Sequence, residues 1–297
     1  MPTTQPNYWI MQAYGHVGIL NEAKYALLSF LAGTPADKLP QIIIYTDQPA
    51  FFKLFEHYVT FKAIDKQLIK EWSGEINFVH RVKIKMLQDF WATHTHGNLL
   101  YTDTDVTFLK SVPALFEAIE QGTFLMHVSE GAISPKSNLT ISRLYKFFKT
   151  NPKELAHFWA AADPTTLQMY NAGVLGMNSG MLLEDVLRLT DDMYKIFERH
   201  IVEQFAFSYY AQTKAPKLMV VNDFIFHYWN FKEFRGVLAD FFTKYEGESL
   251  QKLIALHTLL LPQDMEKPKR AYEALSFLPR TLRKLSGKRW TMPPYRF

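Results

Sequence analysis

Two aspartates spaced by one residue, Asp103 and Asp105, follow the apolar run Leu99–Tyr101 within the stretch Gly97–Leu109. Along an extended backbone, residues i and i+2 point to the same face, so both carboxylates project together from the end of a core strand. Side-by-side carboxylates repel, and a site that keeps both ionised is relieved by a divalent cation. Oxygen ligands on a hard cation, with positions left for phosphate oxygens, suit Mg²⁺ or Mn²⁺ carrying a diphosphate. Arg81 and Lys85, spaced i, i+4 on one face of an expected helix, form either a solvated face or a pair of cations able to meet phosphate oxygens. His94 and His96 would lie on one side of an extended chain, but no third ligand accompanies them.

The elements that position these groups are legible in the pattern of apolar residues. Asn7–Tyr14 reads as a first strand, and Glu22–Ala32 has helical periodicity ending at Gly33, a residue suited to a C-terminal cap. Gln41–Asp47 is a near-continuous apolar run closed by a polar turn, as in a parallel strand covered on both faces. Pro49–His57 reads as a helix opened by proline, Val59–Ile64 as a third strand and Phe78–Trp91 as a helix. The Asp-bearing strand follows, then a helix over Pro113–Gln121 and a strand over Thr123–Val128. Such alternation predicts a parallel α/β sheet. In the second half, Leu139–Lys149 and Leu155–Ala162 read as helical, Gly173–Asn178 as a strand, Leu182–Gln212 as mostly helical and Leu218–Phe226 as one strand running into His227.

Composition narrows the class. Of 297 residues, 48% are hydrophobic and 15% aromatic, enough for a sizeable core and against wholesale disorder. With no cysteine, disulfides, thiolate metal sites and a cysteine nucleophile are excluded. The polar start, Met1–Asn7, lacks the form of a signal peptide, and no apolar run approaches the roughly 18 residues that span a bilayer. A cytoplasmic protein is the resulting expectation, peripheral at the inner membrane face if its tail meets lipid. From Pro262 to Phe297 nine Lys/Arg stand against three Asp/Glu. There Phe277, Leu278, Leu282 and Leu285 interleave with Arg280, Arg283, Lys284, Lys288 and Arg289, as in an interfacial amphipathic segment for anionic lipid. A solvated tail is the plainer alternative. No nucleic-acid-binding motif accompanies the charge.

The apolar strand ending in Asp103-Thr-Asp105, followed by Tyr170-Asn-Ala-Gly-Val-Leu-Gly-Met-Asn178, resembles the GT-A-fold glycosyltransferases over roughly residues 8–230. The resemblance implies a GT-A-like, Rossmann-like, mixed and mostly parallel sheet flanked by helices. It places a glycosyltransferase domain at 1–261 and a basic, aromatic-containing extension at 262–297. It implies metal-dependent transfer of a sugar from a nucleotide-diphosphate donor to a glycan or lipid-linked acceptor, with Mn²⁺ or Mg²⁺, as in polysaccharide biosynthesis. By the same resemblance Asp105 and Asp103 hold the metal, with His227 as a third ligand. Gln12, Ala13, Tyr14 and Asp47 lie beside the nucleotide, and Arg81 and Lys85 face the diphosphate. Asn171, Ala172 and Gly173 form the sugar-binding turn, where a small residue lets the hexose approach, and Glu203-Gln204 brings a carboxylate, a candidate general base, near the acceptor. A sugar nucleotidyltransferase and a non-catalytic nucleotide-sugar- or glycan-binding protein are the competing readings. No P-loop, Gly-x-Gly-x-x-Gly after a strand or Ser-His-Asp arrangement is present.

Overall fold

The structure is a computed structural model that describes residues 5–150, 153, 155–287 and 289–297; the side chain of Phe277 and all of Met1–Thr4 and Lys288 lie outside the described residues. Its strands are β1 (Asn7–Gln12), β2 (Gln41–Thr46), β3 (Val59–Ala63), β4 (Asn98–Thr102), β5 (Val106–Phe108), β6 (Thr123–Met126), β7 (Ser129–Ala132), β8 (Gln168–Tyr170), β9 (Val174–Met177), β10 (Lys217–Val220) and β11 (Ile225–His227). The α-helices are α1 (Val17–Gly33), α2 (Lys66–Ser73), α3 (Arg81–Thr93), α4 (Pro113–Glu120), α5 (Leu139–Thr150), α6 (Leu183–Ile196), α7 (Ile201–Thr213), α8 (Phe234–Lys244), α9 (Leu250–Leu256), α10 (Pro262–Met265), α11 (Lys267–Glu273) and α12 (Phe277–Leu285).

Seven strands form one sheet in the order β10-β6-β9-β4-β1-β2-β3. All neighbours pair in parallel except β9, which runs antiparallel between β4 and β6. This is the mixed, mostly parallel sheet flanked by helices that the family resemblance implies; the alternation of elements alone predicts the parallel strands but not the antiparallel β9. Alternate side chains of β1 sort to opposite layers. Tyr8 and Ile10 join the side chains of α3, α5, α6 and α7, while Trp9 and Met11 join those of α1, α4, α8 and α9. Both faces are therefore dry, which is why the strands read as continuous apolar runs rather than alternating ones. Within β9 a Cβ on Gly176 would come 2.5 Å from Leu125 Cγ, so glycine is what admits the close β6–β9 approach.

Two smaller antiparallel sheets, β5/β11 and β7/β8, sit off the main one. The single strand expected over Leu218–Phe226 is in fact two. β10 extends the main sheet, the chain turns at Asn222-Asp223, and β11 pairs with β5, setting His227 opposite Val106. The stretch 155–162 holds only a 3-10 turn at Ala156–Phe158, and 49–55 is 3-10 rather than α. Helix α2 has no counterpart in the expected elements; its Asp65 cap accepts the amide of Leu68 at 2.7 Å. Burial of Glu22 on α1 is sustained by Arg235 on α8, whose guanidinium meets both its carboxylate oxygens at 2.8 and 2.9 Å. Among the described residues no helix is long and apolar enough to cross a membrane.

Candidate active site

The site is assembled where the two sheets meet. Strand β4 ends at Thr102, and the amide of Asp103 donates to Gly173 O at 2.7 Å, fixing the turn to the start of β9. Asp105 lies just before β5, its carbonyl accepting the amide of Tyr228 at 2.9 Å. The antiparallel pairing of β5 with β11 then brings His227 back over the aspartates. Its Nε2 lies 3.0 Å from Asp105 Oδ1 and 3.8 Å from Asp103 Oδ2.

The orientation of the imidazole is set from behind. Nδ1 is 2.9 Å from Asn171 Oδ1, which also accepts the amide of Gly173 at 3.0 Å, while Asn171 Nδ2 donates to Glu130 at 3.0 Å. An Asn oxygen so placed calls for a donor, so Nδ1–H donates to it and Nε2 is the ring atom that faces the aspartates. One ligand atom from each of Asp103, Asp105 and His227 lies within 4.8 Å of the other two, a spacing and an O,O,N donor set that fit one divalent ion. A Cβ on Gly173 would lie 2.0 Å from His227 Cε1. The smallness of residue 173 thus makes room for the imidazole, where the sequence reading had it make room for a sugar.

A cleft of about 330 Å³ opens over these residues, lined among others by Gln12, Tyr14, Lys83, Trp229, Lys232 and Arg235. Asp105 is buried, which by itself would raise its pKa; His227 and Lys232, whose Nζ lies 2.5 Å from Oδ2, outweigh burial and hold it far below the ordinary carboxylate range. Burial, then Asp103 and Asp47, push the Tyr14 phenol up to about 12. Gln12 Oε1 is buried with no hydrogen-bond partner. Tyr101 OH donates to Asp103 Oδ1.

Lys83 is the cation that helix α3 contributes. It is 4% exposed, and its Nζ reaches Ala172 O and Glu203 Oε1 at 3.0 Å each and Asp103 Oδ1 at 3.6 Å. Burial would lower its pKa, but the two carboxylates raise it, so it stays charged. Arg81 and Lys85, the two cations of this helix expected to face a diphosphate, line no part of the cleft; Lys83, between them, does. Arg81 donates to Asp191 and to Trp72 O, both at 2.8 Å, and Lys85 to Gln88 at 3.0 Å. The signal was present: Leu87 and Phe90, at i+4 and i+7 from Lys83, are core residues, so Lys83 belongs to the apolar stripe.

The other expected residues scatter. Glu203 is 3% exposed, faces Lys83 and does not line the cleft. Gln204 donates to Glu130 at 2.9 Å, joining the network behind Asn171. Ala13 is buried, its amide donating to Tyr45 O, and Asp47 accepts the amide of Gly15 at 3.2 Å, shaping the turn after β1.

Among the solved structures similar to this chain are glycosyltransferases. Mouse xyloside xylosyltransferase 1 matches with a TM-score of 0.46 and 14% identity, over 72% of this chain and 85% of that one. The galactosyltransferase LgtC, solved with donor and acceptor sugar analogues, matches with a TM-score of 0.45 and 13% identity, over 72% and 73%. GlyE of Streptococcus pneumoniae TIGR4 gives 0.40 and 15%, over 73% and 45%. No family model and no curated protein matches the chain. The features by which the sequence resembles GT-A glycosyltransferases, an Asp-x-Asp at a strand end and a mostly parallel sheet flanked by helices, are both present.

Proposed function

We propose that the protein is a metal-dependent glycosyltransferase moving a sugar from a nucleotide-diphosphate donor to a glycan or lipid-linked acceptor. The observation that carries this reading is the convergence of Asp103, Asp105 and His227 in a cleft also lined by Lys83, Lys232 and Arg235. Breaking the bond from the anomeric carbon to phosphate gathers negative charge on the leaving diphosphate, and the cleft is built to receive it. Mn²⁺ or Mg²⁺ held by Asp103, Asp105 and His227 would supply the positive charge that stabilises that group.

The chain's own residues do the rest. The Lys232 side chain is 51% exposed and reaches over Asp105, so a short rotation exchanges carboxylate for a phosphate oxygen. Lys83, clamped between Ala172 O and Glu203, keeps a fixed charge beside Asp103; such preorganised charge is worth several kcal/mol to a transition state. Glu203 acts as a positioning residue for Lys83 rather than as a base. Gln12 Oε1 accepts from the nucleotide, the protonated Tyr14 hydroxyl donates to it, and the Trp229 ring, 41% exposed, offers a stacking face. Asn171 and Gly173 serve by holding His227.

The test is donor hydrolysis and transfer by the purified protein over a panel of nucleotide sugars with Mn²⁺. We expect turnover with at least one donor, abolished by chelator and reduced at least about 100-fold in Asp105→Asn. Undiminished turnover in excess chelator would remove the metal mechanism. Donors that raise Tm with Mn²⁺ but never turn over would leave a binding protein.

A further inference from the structure

The C-terminal basic stretch folds in an unexpected way. After α11 the chain forms α12 and then returns to the body. Trp290, Met292, Tyr295 and Phe297 pack against the core on the α8 side, with the Phe231–Trp290 and Phe241–Phe297 ring centroids 6.1 and 5.4 Å apart and Tyr295 OH donating to Asp240 at 2.6 Å. Before α12, Lys269 is bound to Asn230 O and to Glu233 at 2.8 Å. Helix α12 is therefore held at both ends while its Leu278, Leu282 and Leu285 side chains stay exposed.

That surface is amphipathic with its apolar arc outward. Leu278, Leu282 and Leu285, spaced i, i+4 and i+7, occupy one narrow arc and are 70%, 66% and 79% exposed. A helix packed for stability would turn that arc to the core. The charges point the same way: six Lys/Arg and no Asp/Glu occur from Ala274 to Phe297. The cations of α10 and α11 are internally paired, Lys267 with Asp264, Lys269 with Glu233 and Arg270 with Glu266. Arg280, Arg283, Lys284 and Arg289 have no carboxylate within ion-pair distance among the described residues. Arg280, Lys284 and Arg289 instead line a hollow of about 450 Å³ with Tyr272, Thr281, Trp290 and one carboxylate, Glu273, which accepts from Asn230; three cations against one anion leave it a net positive charge.

We propose that α12 is a membrane-docking element that inserts its leucine arc into the interface of an anionic phospholipid bilayer while Arg280, Lys284 and Arg289 bind lipid phosphates. Exposed leucines supply the apolar area and unpaired cations the attraction to an anionic surface, the two components an interfacial helix needs. A soluble glycan partner, even an anionic one, would leave the leucines exposed. The proposal stands independently of the chemistry in the cleft.

The experiment is co-sedimentation of the full chain with vesicles of phosphatidylglycerol and phosphatidylcholine, against pure phosphatidylcholine, at low and high salt. Its variants are Leu278→Glu/Leu282→Glu and Arg280→Glu/Lys284→Glu. All four side chains are exposed, and unchanged Tm values check that the fold persists. We expect binding to the anionic vesicles that weakens with salt and falls at least about tenfold in each double variant. Equal binding to both vesicle types, no binding to either, or anionic binding unchanged in the variants overturns the proposal. So does a wild-type dimer that Leu278→Glu/Leu282→Glu dissolves without any vesicle binding, which would assign the face to a second copy of the chain.

Discussion

At the scale of single residues, the Asp pair was legible because the strand that delivers it is apolar throughout, although the two aspartates lie in the bend between β4 and β5 rather than on the extended backbone that the i, i+2 spacing suggests. The third ligand was legible as a residue type but not as a partner, because what places His227 is the pairing of β5 with β11, two strands more than 110 residues apart in sequence. Gly173 is the neighbour that makes the pairing possible. Gly173→Ala is expected to push the imidazole off its Asn171 hydrogen bond, to cost about 1–3 kcal/mol by overpacking and to weaken Mn²⁺ binding at least about tenfold. Titration calorimetry reads the second effect, and wild-type affinity would mean that His227 is no ligand. For Lys83, the expectation is non-additivity. Lys83→Met alone strands Glu203 as a buried carboxylate and should cost about 3–5 kcal/mol, whereas Lys83→Met/Glu203→Gln should recover much of that loss. Thermal or urea unfolding of the three variants is the check, and simple additivity would show that the two groups do not depend on each other.

At the scale of elements, the strands of the main sheet could be read because burial on both faces leaves continuous apolar runs such as Ile42–Ile44. The β10–β11 break could not, since Leu218–Phe226 stays apolar through most of a turn marked only by Asn222-Asp223. Apolarity reports burial, not which sheet buries a residue. Helix α2 escaped because it is short and half-exposed, with Trp72 its main core contribution. The small β5/β11 sheet is the element on which the metal geometry depends most. Ile225, fully buried at its start, is therefore a remote handle on the site. Ile225→Ala should lower stability by about 2–4 kcal/mol and weaken Mn²⁺ binding although it touches no ligand atom. Loss of stability with unchanged Mn²⁺ affinity would show that β11 is held by the Asn171 contact alone.

At the scale of the whole molecule, two imidazoles, the buried His127 and the partly buried His80, set a pH dependence of folding. Burial, and then the Lys83 cation, press the His80 pKa down from 6.5 to about 4; burial and then His227 press His127 down to about 3. Both are neutral in the folded protein, while the unfolded chain takes up protons below pH 6.5. Stability attributable to this pair is complete above 6.5 and is lost as pH falls from 6.5 toward 4, by on the order of 1–3 kcal/mol per histidine. The Tm measured from pH 7.5 to 4.5 should drop along that interval, and His127→Gln should flatten the drop; an unchanged slope would exclude His127. The same tertiary economy joins the far end of the chain to the cleft. Asn230 donates to Glu273 at 2.8 Å and accepts from Lys269, so α11 grips the loop that carries Lys232, while residues 290–297 roof Phe231 and Phe241. Clipping those last eight residues would act less like trimming a loose thread than like lifting a keystone: the phosphate-facing lysine would lose its footing even though every residue around the metal was intact.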